Sequence, residues 1–255
     1  MFIAKYDTDG NVLWARKASG ATWNNDFSIA ADSSGNVYVT GSFSDTATFD
    51  STILASIGES DIFIAKYDTD GNVLWVRQSG GSMADLGYGI AVDLSGNVYV
   101  TGFFQDMATF DSTSLASVGG YDIFIAKYDT DGNVLWVRQS GSSINDYGQS
   151  IAADSSGNVY ITGFFQDTAT FDSTSLTSIG ESDIFIAKYD TDGNVVWVRK
   201  AGSSNWDKGY GIAVDSVENV YVTGFFQDTA TFGTTSITGS GGTEMFITKL
   251  DSRFF

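Results

Sequence analysis

The chain has 255 residues, with 13 Lys and Arg against 31 Asp and Glu, a formal charge of −18. So acidic a surface repels phosphate backbones and anionic lipid alike, which excludes a basic nucleic-acid binder. His, Cys and Pro are all absent, which removes disulfides, thiolate nucleophiles, Cys/His zinc sites and His-dependent triads from consideration.

Hydrophobic residues make up 42% of the chain and aromatics 15%, enough for a packed core. No apolar run approaches the roughly 18 residues of a membrane span, so no membrane insertion is expected. In chain order, the first expected elements are a strand at 2–7, the turn DTDGN, and a strand at 12–16 around Trp14. A connection bearing Trp23, Asn24 and Asp26 leads to strands at 29–32 and 37–43, which flank the turn DSSGN. A connection of about 18 residues then returns to Ile62, where the pattern restarts.

The restart is periodic. Trp14, Trp75, Trp136 and Trp197 are each 61 residues apart, as are Asn36, Asn97, Asn158 and Asn219. The repeats are 1–61, 62–122, 123–183 and 184–244, and 245–255 begins a partial fifth that loses the pattern after Asp251. Repeats 62–122 and 123–183 differ at 14 of 61 positions. In the best-defined copies the strand positions are a (90–93), b (98–104), c (123–129) and d (134–138). Each a-b and c-d turn is an Asp, three residues ending in Gly, and an Asn, which suits a type I turn closed by a left-handed glycine. Segments such as IFIA, VLWV and VYVTGFF are apolar at successive positions, so both sheet faces must be covered. No helical periodicity exists to supply a cover, and copies of the same sheet remain. The expected fold is therefore all-β, a β-propeller of four 61-residue, four-stranded blades forming one domain. The N-terminal d strand is expected to complete the C-terminal blade and close the ring, leaving one c strand over for self-association.

The phrases GIAVDLSGNVYVTG (89–102), ATFDSTSL (108–115) and DIFIAKYDTDGNVLW (122–136) resemble the bacterial SBBP repeat family, named for its seven-bladed β-propellers, and in particular its secreted and cell-surface versions. The resemblance implies an exported binding or scaffold region, although no signal peptide precedes the first strand. Glu218 stands where the turn glycine is expected, placing a side chain at a positive φ at a cost of about 1 kcal/mol.

The a-b and c-d turns share one face of the disc, and the longer b-c and d-a connections share the other. Of the 14 differences, six fall at 81–89 and four at 116–121, so recognition of a protein or glycan is assigned to the long-connection face. Trp23 and Trp206 occupy one repeat phase there. With Asn24, Asp26 and Asp207 beside them, they suit stacking on a sugar or capture of a peptide aromatic, or else capping of the closing seam. Asp85, Asp146 and Asp207 recur at the start of the d-a connection, as ligand contacts or as turn acceptors. Asp7 with Asp9, Asp68 with Asp70, Asp129 with Asp131 and Asp190 with Asp192 form Asp-x-Asp-Gly, which offers weak calcium binding or plain turns; no other cofactor is expected. Nine of the 13 basic residues repeat in phase on strands c and d, where they are expected to meet turn carboxylates. Glycoside hydrolysis needs one asymmetric acid pair. The clearest repeat-breaking acid, Glu218, falls on the tight-turn face, so the chain is read as non-catalytic.

Overall fold

The computed structural model describes residues 1–23 and 27–250, and all their regular structure is β. The strands of the first period and its lead-in are β1 (Phe2–Tyr6), β2 (Val12–Ser19), β3 (Thr22–Trp23), β4 (Ser28–Ala31), β5 (Val37–Ser44), β6 (Thr46–Phe49), β7 (Thr52–Ala55), β8 (Asp61–Tyr67) and β9 (Val73–Gly81). The next period gives β10 (Leu86–Val92), β11 (Val98–Phe110), β12 (Thr113–Tyr128) and β13 (Val134–Gly141). It is followed by β14 (Tyr147–Ala153), β15 (Val159–Phe165), β16 (Thr168–Phe171), β17 (Thr174–Thr177), β18 (Asp183–Tyr189) and β19 (Val195–Gly202). The last strands are β20 (Lys208–Val214), β21 (Val220–Phe232) and β22 (Thr235–Leu250).

Antiparallel ladders join β4-β5-β8-β9, β10-β11-β12-β13 and β14-β15-β18-β19 in a-b-c-d order, and β20-β21-β22 in a-b-c order. The innermost strands β4, β10, β14 and β20 lie side by side in that sequence, which sets the sheets radially as propeller blades. Apolar cover on both faces follows from that stacking. Tyr38, Ile62 and Ile64 of one blade share a core with Ile90, Val100, Phe104 and Phe124 of the next. Tyr99, Ile123 and Ile125 then meet Ile151, Ile161 and Phe165 across the following seam. Every residue of β8 is buried, and each such Phe or Ile contributes about 1.5–3 kcal/mol of transfer free energy.

The b-c connection is a hairpin. Within β11 and β12, Ala108 pairs with Leu115 and Phe110 with Thr113. The same hairpin docks on the preceding blade, Ala108 opposite Gly81 and Thr109 opposite Gly80 of β9. The turn needs no glycine because Asp111 adopts φ 54°, as Asp50 and Asp172 do at φ 52° in their copies.

Ring closure by the N-terminal d strand is not what the ladders of the described residues show. The paired edge of β2 is held by β1, from Phe2 opposite Lys17 to Tyr6 opposite Val12, and the end of β2 pairs with β6. The last blade draws its c strand from β22, in register with β21 from Val220 opposite Leu250 onward. For β2 to extend that blade, its own hairpin partner would have to leave.

The tight turns form as their sequence dictates. Asp93 Oδ1 accepts the Ser95 and Asn97 amides at 2.8 and 2.9 Å, Oδ2 accepts the Asn97 side chain at 2.8 Å, and Gly96 takes φ 81°. Glu218 sits at φ 63°, and its carboxylate accepts Lys188 Nζ at 3.1 Å. Lys188 thus meets carboxylates as expected, Asp154 lying 4.0 Å away as well, but Lys5, Lys66 and Lys127 in the preceding copies meet backbone carbonyls of the following turn instead. Lys66 Nζ donates to the Thr130 carbonyl (3.0 Å), Arg77 Nε to that of Gly132 (2.9 Å) and Arg77 Nη2 to that of Asp131 (2.7 Å). Trp75 Nε1 also reaches the Thr130 carbonyl, at 3.1 Å. Carbonyls outcompete carboxylates here because the first Asp of each turn is already turned inward onto its own amides and the second points to solvent.

Candidate functional site

Two sets of expected site residues are structural in their contacts. In the Asp-x-Asp-Gly turns, Asp7 accepts the Asp9 and Asn11 amides on Oδ1 (2.9 and 2.8 Å) and the Asn11 side chain on Oδ2 (2.9 Å). Asp68, Asp129 and Asp190 do the same. The asparagine side chain and amide lower the pKa of Asp7 and Asp68 below the usual carboxylate value. Asp9, Asp70, Asp131 and Asp192 turn to solvent, and no group of three or more metal-ligating side chains assembles among the described residues.

Asp85, Asp146 and Asp207 are fully buried. Asp85 accepts the Gly81 amide on Oδ2 (2.7 Å) and the Gln105 amide on Oδ1 (3.2 Å), which ties the d-a connection to strand b. Asp146 repeats this with Ser142 and Gln166, and Asp207 with Ser203 and Gln227. Burial pushes Asp85 up to about 7 and Asp146 to about 6, against the pull of these amides. Their depth leaves them no surface from which to touch a ligand.

Trp206 remains at the surface, 36% exposed. Asn24, Asp26 and the Trp23 side chain lie outside the described residues, so the Trp23–Trp206 pairing has no geometry here. What Trp206 does join is a chain of rings missed in the sequence. Phe103 lies 4.6 Å from Tyr121 and 5.0 Å from Tyr147, and Tyr147 stacks on Phe164 at 4.6 Å. Lys208 Nζ sits 3.9 Å from the centre of the Phe164 ring and 5.2 Å from that of Trp206. Burial lowers the Lys208 pKa and pushes that of Tyr147 up to about 12. The cluster spans three blades on the long-connection face. A signal for it existed: Tyr121 replaces the serine of Ser60 and Ser182, and Tyr147 stands in phase with Leu86 and Lys208.

The β-propeller repeat model SBBP matches residues 19–42, 74–102, 135–163 and 196–224, so the chain carries four repeats of that family. An uncharacterized WD repeat-containing protein, L264 of Acanthamoeba polyphaga mimivirus, is 30% identical over 265 residues, covering 86% of this chain and 19% of its own. The regulatory protein FlaEY of Caulobacter vibrioides is 30% identical over 153 residues, covering 56% of this chain and 16% of its own. The chain thus spans less than a fifth of these curated relatives. A solved protein of unknown function from Bacteroides caccae superposes with a TM-score of 0.48 at 13% identity, over 99% of this chain and 69% of that one.

Proposed function

We propose that the chain is a non-catalytic binding and scaffold module of an exported or cell-surface protein, with the long-connection face as its recognition surface. The ligand, a glycan or a protein segment bearing an exposed aromatic, stacks on the cluster of Phe103, Tyr121, Tyr147, Phe164, Trp206 and Lys208. One observation carries this reading. In repeats that differ at few positions, Tyr121, Tyr147, Trp206 and Lys208 depart from neighbouring copies and still meet in one contiguous array. Substitutions that merely drift have no reason to converge. Export rests on the resemblance to this repeat family.

Glycan and peptide arrays test the reading, with intrinsic tryptophan fluorescence as the solution readout. Saturable binding should fall about tenfold or more in Trp206→Ala and in Tyr147→Leu, since one lost ring contact is worth about 1.5 kcal/mol. Binding unchanged in both variants, or silence on every array, overturns it.

A further inference from the structure

Beside each buried connection Asp lies a second buried carboxylate, at the head of strand c. Asp61, Asp122 and Asp183 are fully buried. The Asp85 amide donates to the Ser60 carbonyl at 2.9 Å, and the Asp146 amide to that of Tyr121 at 2.7 Å, which fixes each pair side by side. A methyl group on Gly80 would meet Asp85 Oδ2 at 2.9 Å and Asp61 Oδ1 at 3.0 Å, so both oxygens flank one glycine. Asp61 Oδ2 accepts the Ile57 amide and the Gln78 side chain, and Asp122 Oδ2 those of Val118 and Gln139. Oδ1 of Asp61 and of Asp122 has no hydrogen-bond partner although it is buried.

The third pair shows what the first two lack. At the position of Gln78 and Gln139 it carries Lys200, whose Nζ lies 3.9 Å from Asp183 Oδ2. Two carboxylates in a desolvated site cannot both stay ionised without a positive charge between them. Among the described residues no ion pair reaches Asp61, Asp85, Asp122 or Asp146. The polar groups facing the first pair are Gln78, Ser60 and the Ile57, Gly58, Gly81 and Gln105 amides. Those facing the second are Gln139, Ser142, the Val118, Gly119 and Gln166 amides and the neighbouring phenols of Tyr121 and Tyr147. Asp228 and Lys200 act on the third pair alone.

We propose that Asp61–Asp85 and Asp122–Asp146 each share one proton between their two carboxyl groups and act as pH-sensitive latches on the long-connection face. The proton removes one of two like charges from a desolvated site and gives the pair a donor where two carboxylates could only accept. Its loss leaves two buried negative charges holding the loops at 57–61 and 81–85, and at 118–122 and 142–146. The inference is independent of whether the aromatic cluster takes a ligand.

Infrared titration of the carboxylic C=O band, read beside thermal unfolding, tests it. The parent should show protonated carboxyl groups that ionise between about pH 6 and 7. Asp61→Asn and Asp122→Asn place a permanent N–H at the orphan position, so each should remove its share of the band and raise Tm at pH 8 while leaving Tm at pH 4 unchanged. Gln78→Lys, which copies Lys200, should move the first ionisation to lower pH. No protonated carboxyl at pH 6 in the parent overturns the proposal. So does a Tm at pH 8 that millimolar calcium raises in the parent and not in Asp61→Asn, since the neutralising charge is then a metal.

Discussion

A single backbone angle decides how well each tight turn closes. Gly35, Gly96 and Gly157 take φ between 81° and 84° at the third loop position, and Glu218 is held at 63° in the fourth copy. The Glu218 contact with Lys188 offsets little of that strain, because its side chain is 44% exposed and such pairs contribute less than about 1 kcal/mol. Glu218→Gly should therefore raise Tm by about 1–2 °C, and Gly157→Glu should lower it by a similar amount. In the c-d turns the glycine has a second duty. A methyl on Gly132 would sit 2.9 Å from the Trp75 ring, so Gly132→Ala combines backbone strain with a clash against the preceding blade. Its expected cost is about 2 kcal/mol or more, read by urea unfolding, where Gly10→Ala meets nothing within 4 Å and carries the φ term alone.

Adjacent repeats are joined by two devices, one on each face. On the tight-turn face, Lys66, Trp75 and Arg77 grip the carbonyls of the next turn, as Lys127, Trp136 and Arg138 do one blade further on. Trp75→Ala should cost about 2–3 kcal/mol in denaturant unfolding, whereas Leu74→Ala on the exposed side of the same strand should fall within about 0.5 kcal/mol. The strands, blades and tryptophan seams were legible because residues such as Ile62, Phe63 and Ile64 are apolar at successive positions, which only two-sided cover explains. The direction of the basic side chains was not, since charge alone pairs Arg77 with a carboxylate and the turn geometry offers carbonyls instead. On the opposite face the docking hairpin escaped notice because its turn rests on a left-handed Asp111 and not on the usual Gly. The aromatic cluster escaped for a different reason: Tyr121, Tyr147 and Lys208 belong to three repeats, and their meeting is a property of blade stacking that no one period contains.

Over the whole molecule the acids divide into two populations whose effects on stability oppose each other. Asp7, Asp68 and Asp215 are held below the ordinary carboxylate value by Asn side chains in their turns. Folding binds fewer protons there, so the stability they give is present above about pH 4 and is lost as pH falls through their folded values. Asp85 and Asp146 have the reverse sign, with folded values of about 7 and about 6 imposed by burial. Folding binds extra protons at these sites, so no penalty exists below about pH 4, and one develops as pH rises toward 7, on the order of several kcal/mol in total. The two slopes enclose a maximum. Urea unfolding from pH 3 to 9 should give a midpoint that peaks between about pH 4 and 6 and declines on both sides. The alkaline decline should flatten in Asp61→Asn/Asp122→Asn and the acid decline should persist in it. A midpoint that climbs steadily to pH 8 in the parent contradicts the buried pairs' share of that balance.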